Sequence, residues 1–149
     1  MAVNERTPNT LTKTLAAASV VEIGTGLALM FDPSLVAGLL LGEDVAGVGV
    51  LLGRCFGAAL FALGLACWPS EQHSSSASAA FRAMVPYNGL IAAYLAYLGI
   101  VGHVRGLLLW PAVLLHAVVA GLLVWTWREE RKIEAAKIRA EMSTKMRSK

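Results

Sequence analysis

Six polar side chains that could do chemistry stand inside long apolar stretches of this sequence. They are Glu22, Arg54, Tyr87, Asn88, Tyr94 and His116. A carboxyl, a guanidinium and an imidazole in apolar surroundings can pair with one another, bind a polar ligand or pass protons. What they do depends on whether the elements that carry them bring them together.

Four apolar stretches carry these residues, and the composition places the stretches in a membrane. Of the 149 residues, 56% are hydrophobic and 15% are charged, and a water-soluble domain of this size could not bury that much apolar surface. Each stretch is long enough to span a bilayer as a helix. The sequence predicts an all-α four-transmembrane-helix bundle over 1–127, with spans at about 14–31, 45–68, 83–102 and 106–127.

The distribution of Lys and Arg predicts the orientation of the spans. If the N-terminus lies inside, the inner segments hold eleven cations and the outer loops hold one, Arg105. The inner cations are Arg6, Lys13, Arg82 and the eight that follow Trp127. Because such an excess marks the cytoplasmic side, we expect a multi-pass protein of the cell (inner) membrane, N-in and C-in.

Two shorter segments complete the predicted layout. The apolar run from Pro33 to Gly42 is too short to cross a bilayer, so we expect an interfacial helix or re-entrant turn at the outer leaflet. Residues 128–149 combine basic residues with an apolar stripe and predict a basic cytoplasmic helix or tail. A basic tail beside a span favours contact with anionic lipid over nucleic acid.

The predicted depth of the polar residues brings four of them together. Counted from the outer ends of their spans, Glu22, Arg54, Tyr94 and His116 all fall roughly 12–15 Å below the outer surface. Asn88 lies about 9 Å deeper. We therefore predict a buried Glu22–Arg54 ion pair with Tyr94 and His116 close by. This cluster either fixes which helices meet or lines a cavity that binds a small polar or proton-bearing ligand.

Small residues in the second span predict close helix packing. Gly49, Gly53 and Gly57 recur every four residues and share one face, a pattern that permits close approach in lipid. The partner is either another span or a second subunit, so a homo-oligomer or a larger membrane complex is an open possibility.

Other chemistries lack the residues that they need. His116 is the one deep histidine, so a bis-histidine haem has no second ligand in this chain, and no cluster of Cys and His resembles a zinc site. The sequence predicts no metal, no cofactor and no catalytic residue, and it favours a protein that is not an enzyme.

The glycine-rich motifs of the first two spans resemble a known group. The motifs Glu22-x-Gly24-x-Gly26 and Phe31-x-Pro33 are followed by Gly53-Arg54-x-x-Gly57 and Gly64. This arrangement resembles small bacterial four-helix membrane proteins that include the DoxX-like families. The resemblance implies the four-helix fold and an accessory or small-ligand role, with no transferable catalytic residue.

Three functions therefore stay open for this sequence. The first is an accessory or small-ligand-binding module centred on the polar cluster. The second is a small proton- or ion-coupled transporter or channel subunit. The third is a purely structural partner that assembles through the glycine face of the second span.

Overall fold

In a computed structural model, every regular element is an α-helix within the described parts of the chain, residues 10–69 and 74–147, with the backbone alone for residues 74–78. The five helices are α1 Thr10–Phe31, α2 Pro33–Leu41, α3 Val48–Ala66, α4 Ser74–Ile100 and α5 Leu109–Arg147. All but α2 are long and apolar enough to cross a membrane, which confirms the all-α class and the four long apolar helices.

The long helices form two pairs that α1 joins. α1 packs along α3, and α4 packs along α5. α1 also contacts α4 and α5, whereas α3 packs mainly against α1 and touches α2 more lightly. A gap therefore lies between α3 and the α4–α5 pair.

The buried core lies where α1, α4 and α5 meet. Leu15, Met84 and Leu123 are fully buried there. Large apolar side chains such as Leu51, Leu90 and Leu114 are exposed on the outside of the bundle. A surface of this kind is expected of helices that face lipid, since lipid tails are as apolar as these side chains.

α2 is a short helix with defined signals at both ends. Asp32 caps its start, with Oδ1 accepting a hydrogen bond from the N–H of Leu35 at 2.9 Å, and Pro33 occupies the first turn, where a missing N–H costs nothing. Gly42 ends the helix in the left-handed conformation at φ 77°, which glycine adopts without steric cost. The run is thus helical from Pro33 to Leu41, one of the two conformations that the sequence allowed.

The end of α2 is fastened to the start of α5 through the backbone. The N–H of Leu108 donates to the carbonyl of Leu39 at 2.8 Å. Gly106 lies so close to the backbone of Leu40 that a Cβ at position 106 would overlap it. These contacts hold α2 across one end of the gap between α3 and the α4–α5 pair.

α5 extends far beyond its apolar portion. It continues as one helix through the predicted boundary at 127/128, and residues 131–147 are exposed on all sides. Trp127 stacks on Phe81 at a centroid distance of 4.8 Å, and Arg131 lies over the same indole. Glu130 accepts a hydrogen bond from the N–H of Leu11. The basic segment is therefore a continuation of the fourth span that also contacts the first turn of α1.

Candidate functional site

Glu22 is buried in the interior of the bundle, where a tyrosine binds it. The side chain is 1% exposed, and one carboxyl oxygen accepts a hydrogen bond from the hydroxyl of Tyr87 on α4. Its Oε2 has no hydrogen-bond partner in the described part of the chain, and neither does Oγ of Ser19, one turn earlier on α1. The hydrogen bond between Tyr87 and Glu22 therefore joins α4 to α1.

The predicted Glu22–Arg54 ion pair is wrong. Arg54 is exposed and forms no ion pair with Glu22 in the structure. The buried face of α3 is formed by Gly57, Leu60 and Gly64, and Arg54 lies roughly a quarter-turn away from that face. The helix backbones approach too closely on the buried face to accommodate a guanidinium.

The close approach of α1 and α3 depends on glycines. A Cβ at Gly57 would lie 2.7 Å from the carbonyl oxygen of Gly26, and one at Gly64 would lie 2.9 Å from that of Ser19. Gly53 faces Pro33 of α2 instead, whereas Gly49 meets the side chain of the preceding loop residue, Val45. Of the three glycines that the sequence places on one face, Gly57 alone therefore meets α1.

His116 and Asn88 form the second polar pair of the site. Nδ1 of His116 lies 2.8 Å from Oδ1 of Asn88, which is 1% exposed. The amide nitrogen of Asn88 donates to the carbonyl of Met84 at 2.9 Å. The ring of Tyr87 meets the imidazole edge-on, with centroids 6.0 Å apart, so the Glu22–Tyr87 and Asn88–His116 pairs adjoin.

Tyr94 lies on the same face of α4 as Tyr87 but outside the buried cluster. The two residues are seven positions apart, or about 10 Å along the helix. Tyr94 is 60% exposed, although its side chain contributes to the wall of a cavity. Tyr87, rather than Tyr94, meets Glu22 and His116. The sequence shows Tyr87 as a polar residue of the third span, but the predicted depth selected Tyr94, seven positions later on the same face, for the cluster.

A cavity of about 740 Å³ occupies the gap between α3 and the α4–α5 pair, with α1 behind it and α2 across one end. Its wall is largely apolar and includes Leu29, Leu40, Phe56, Ile91, Leu95 and Leu115. The polar residues of this wall are Thr25, Tyr87, Tyr94 and His116, and no charged residue of the described chain lines it. A mostly apolar cavity of this size with a few polar groups is typical of a small-molecule site.

Metal ligands and reactive thiols do not gather in the described residues. No group of three or more His, Cys, Asp or Glu could hold a metal there. Cys55 is exposed on α3, whereas Cys67 is buried just beyond its end. The cavity and the two polar pairs at its wall are therefore the features to which a function can be assigned.

Comparison with protein-family models, with curated proteins and with solved structures gives no match to this chain. The resemblance to the DoxX-like group stays a prediction from short motifs, and the function has to be argued from the site itself.

Proposed function

We propose that this protein is a membrane-embedded binding module for a small lipophilic molecule. The observation that carries the proposal is the cavity of about 740 Å³, whose wall is apolar except for Thr25, Tyr87, Tyr94 and His116. A purely structural bundle has no need of such a space, because protein interiors normally pack without large voids. The gap beside α3 gives an apolar molecule a route from the lipid.

The proposed placement in the membrane follows the distribution of charge. The basic continuation of α5 lies in the cytoplasm, and α2 lies at the outer leaflet of the cell membrane. With both termini inside, the cavity is nearer the outer leaflet than the inner one, since α2 covers one of its ends. The module then binds molecules dissolved in the outer half of the bilayer.

Filling the cavity is expected to abolish binding while leaving the fold intact. A hexadecyl diazirine in lipid nanodiscs should label Ile91 and Leu95 of the wild-type protein saturably, because both side chains line the cavity. Ala112→Trp places an indole on the cavity wall and should remove the saturable labelling, as read by peptide mass spectrometry. Leu114→Trp, on the lipid-exposed side of the same helix, is the matched control and should leave it unchanged.

If labelling of Ile91 and Leu95 in the wild type rises linearly with the diazirine concentration, the proposal is contradicted. Linear labelling is what lipid-facing side chains should show. Bulk lipid would then fill the space without being recognised.

A second candidate function is a proton- or ion-coupled transporter subunit. The observation that favours it is the buried carboxyl of Glu22, whose Oε2 lacks a partner beside the unpartnered Oγ of Ser19. Ionisable groups inside membrane spans commonly carry protons or ions. In proteoliposomes this function predicts a pH-dependent flux that Glu22→Gln abolishes, whereas the binding module predicts no flux in either protein.

A further inference from the structure

The hydrogen bonds behind the cavity determine which nitrogen of His116 carries a proton. The carbonyl oxygen of Met84 can only accept, so the amide nitrogen of Asn88 must be the atom that donates to it. The amide oxygen of Asn88 therefore faces Nδ1 of His116 at 2.8 Å. Since that oxygen can only accept, Nδ1 carries the hydrogen, and a neutral imidazole then has its lone pair on Nε2.

Nε2 of His116 remains available to a molecule in the cavity. The residue lines the cavity wall, and its one hydrogen bond in the described chain is the bond from Nδ1 to Asn88. The neighbouring hydroxyl of Tyr87 already donates to Glu22, which leaves lone pairs on its oxygen. Nε2 of His116 and the oxygen of Tyr87 are thus the acceptors that these two wall residues can offer.

We infer that the cavity selects lipophilic alcohols or phenols, whose hydroxyl donates a hydrogen bond to Nε2 of His116. This inference rests on the proposed binding function and adds the class of ligand to it. An ammonium head would also donate, but no acidic side chain of the described chain lines the cavity to balance its charge. A ketone, ether or ester head has no hydrogen to donate to Nε2 and could only accept a hydrogen bond from a wall hydroxyl, that of Thr25 or Tyr94.

Asn88 acts in this arrangement as a positioning residue. Its side chain contacts the imidazole of His116 but is not itself part of the cavity wall, and it is 1% exposed. Without the amide oxygen, nothing at Nδ1 would favour one tautomer over the other, and the imidazole could present N–H to the cavity as readily as a lone pair. Selectivity for a donor head is therefore a property of the His116–Asn88 pair.

The test compares two competitors that differ by one donor hydrogen. Para-nonylphenol and its methyl ether, para-nonylanisole, are added at equal mole fraction to nanodiscs that hold the full-length protein and hexadecyl diazirine. We expect the phenol to suppress labelling of Ile91 and Leu95 at a concentration about fivefold to tenfold lower than the ether, which corresponds to one net hydrogen bond. In His116→Phe the two competitors should become equivalent, and in Asn88→Leu the preference should shrink.

The matched control is Thr126→Val, which removes a hydroxyl from α5 outside the cavity wall and should keep the preference for the phenol. Equal competition by phenol and ether in the wild type overturns the inference and leaves the binding function standing. A preference that survives in His116→Phe also overturns it, since another group would then be the acceptor. A different result would refute the binding function itself: labelling that does not saturate and that neither compound suppresses.

Discussion

Gly57→Ala is expected to destabilise the bundle by about 1–3 kcal/mol, the usual cost of forcing an extra group into a packed interior. The new Cβ would lie 2.7 Å from the carbonyl oxygen of Gly26 and 2.9 Å from the backbone nitrogen of Met30. Because these atoms belong to the backbone of α1, no side-chain rotation can relieve the overlap. The helices would have to move apart, and Gly57→Leu should prevent the α1–α3 pair from forming.

The matched control lies on the partner helix. Gly24→Ala makes the same chemical change in the middle of α1, where a Cβ would meet nothing within 4 Å. In a helix that substitution should be neutral or stabilising by up to about 1 kcal/mol. Thermal unfolding in detergent, followed by circular dichroism, measures both variants. If Gly57→Ala unfolds at the same temperature as Gly24→Ala, the two helices do not approach as closely as the structure indicates.

The sequence was sufficient to predict the four long apolar helices because a bilayer imposes them. A run of about twenty apolar residues has to become a helix in lipid, where each backbone polar group must be satisfied within its own segment. That constraint acts locally, so composition and length reveal it. The spacing of Gly53 and Gly57 likewise indicated close packing, although it did not show that the two glycines face different helices, α2 and α1.

The polar partners could not be predicted because they depend on how the helices are rotated. The prediction that Arg54 pairs with Glu22 relied on equal depth in the membrane and on opposite charge. Neither property shows which face of α3 packs against α1, and that face is made largely of glycine. Tyr87 offered neither a charge nor an equal predicted depth. It reaches Glu22 because α4 packs against α1 on this side, a contact that the sequence of neither helix reveals by itself.

The ends of α4 and α5 show what a hydropathy pattern does not predict. The apolar pattern predicts a third span that begins near 83, whereas α4 begins at Ser74. It also predicts a fourth span that ends at Trp127, whereas α5 continues to Arg147. The Ala, Glu, Lys and Arg residues after Trp127 are good helix formers in water. Hydropathy therefore locates the part of a helix in lipid and not the end of the helix.

Tyr87→Phe is expected to destabilise the protein because it leaves a buried carboxyl without its hydrogen bond. Glu22 is 1% exposed, and its Oε2 already lacks a partner, so loss of the tyrosine hydroxyl leaves both oxygens unsatisfied. An unsatisfied buried polar group costs about 1–3 kcal/mol. Thermal unfolding in detergent should therefore show a clear loss of stability in this variant.

The double variant Tyr87→Phe/Glu22→Leu identifies the partner of Glu22. It removes both polar groups, so it should recover part of the loss, with a coupling energy of about 0.6–1.7 kcal/mol as found for hydrogen bonds between membrane helices. The matched cycle pairs Glu22→Leu with Arg54→Gln and should be additive within about 0.5 kcal/mol, because Arg54 is exposed and apart from the carboxyl. A coupling that appears with Arg54 and not with Tyr87 would restore the ion pair and remove the tyrosine from the site. Coupling with Tyr87 alone would establish that a neutral hydroxyl, placed at the cavity wall beside His116, is what the buried carboxyl holds in position.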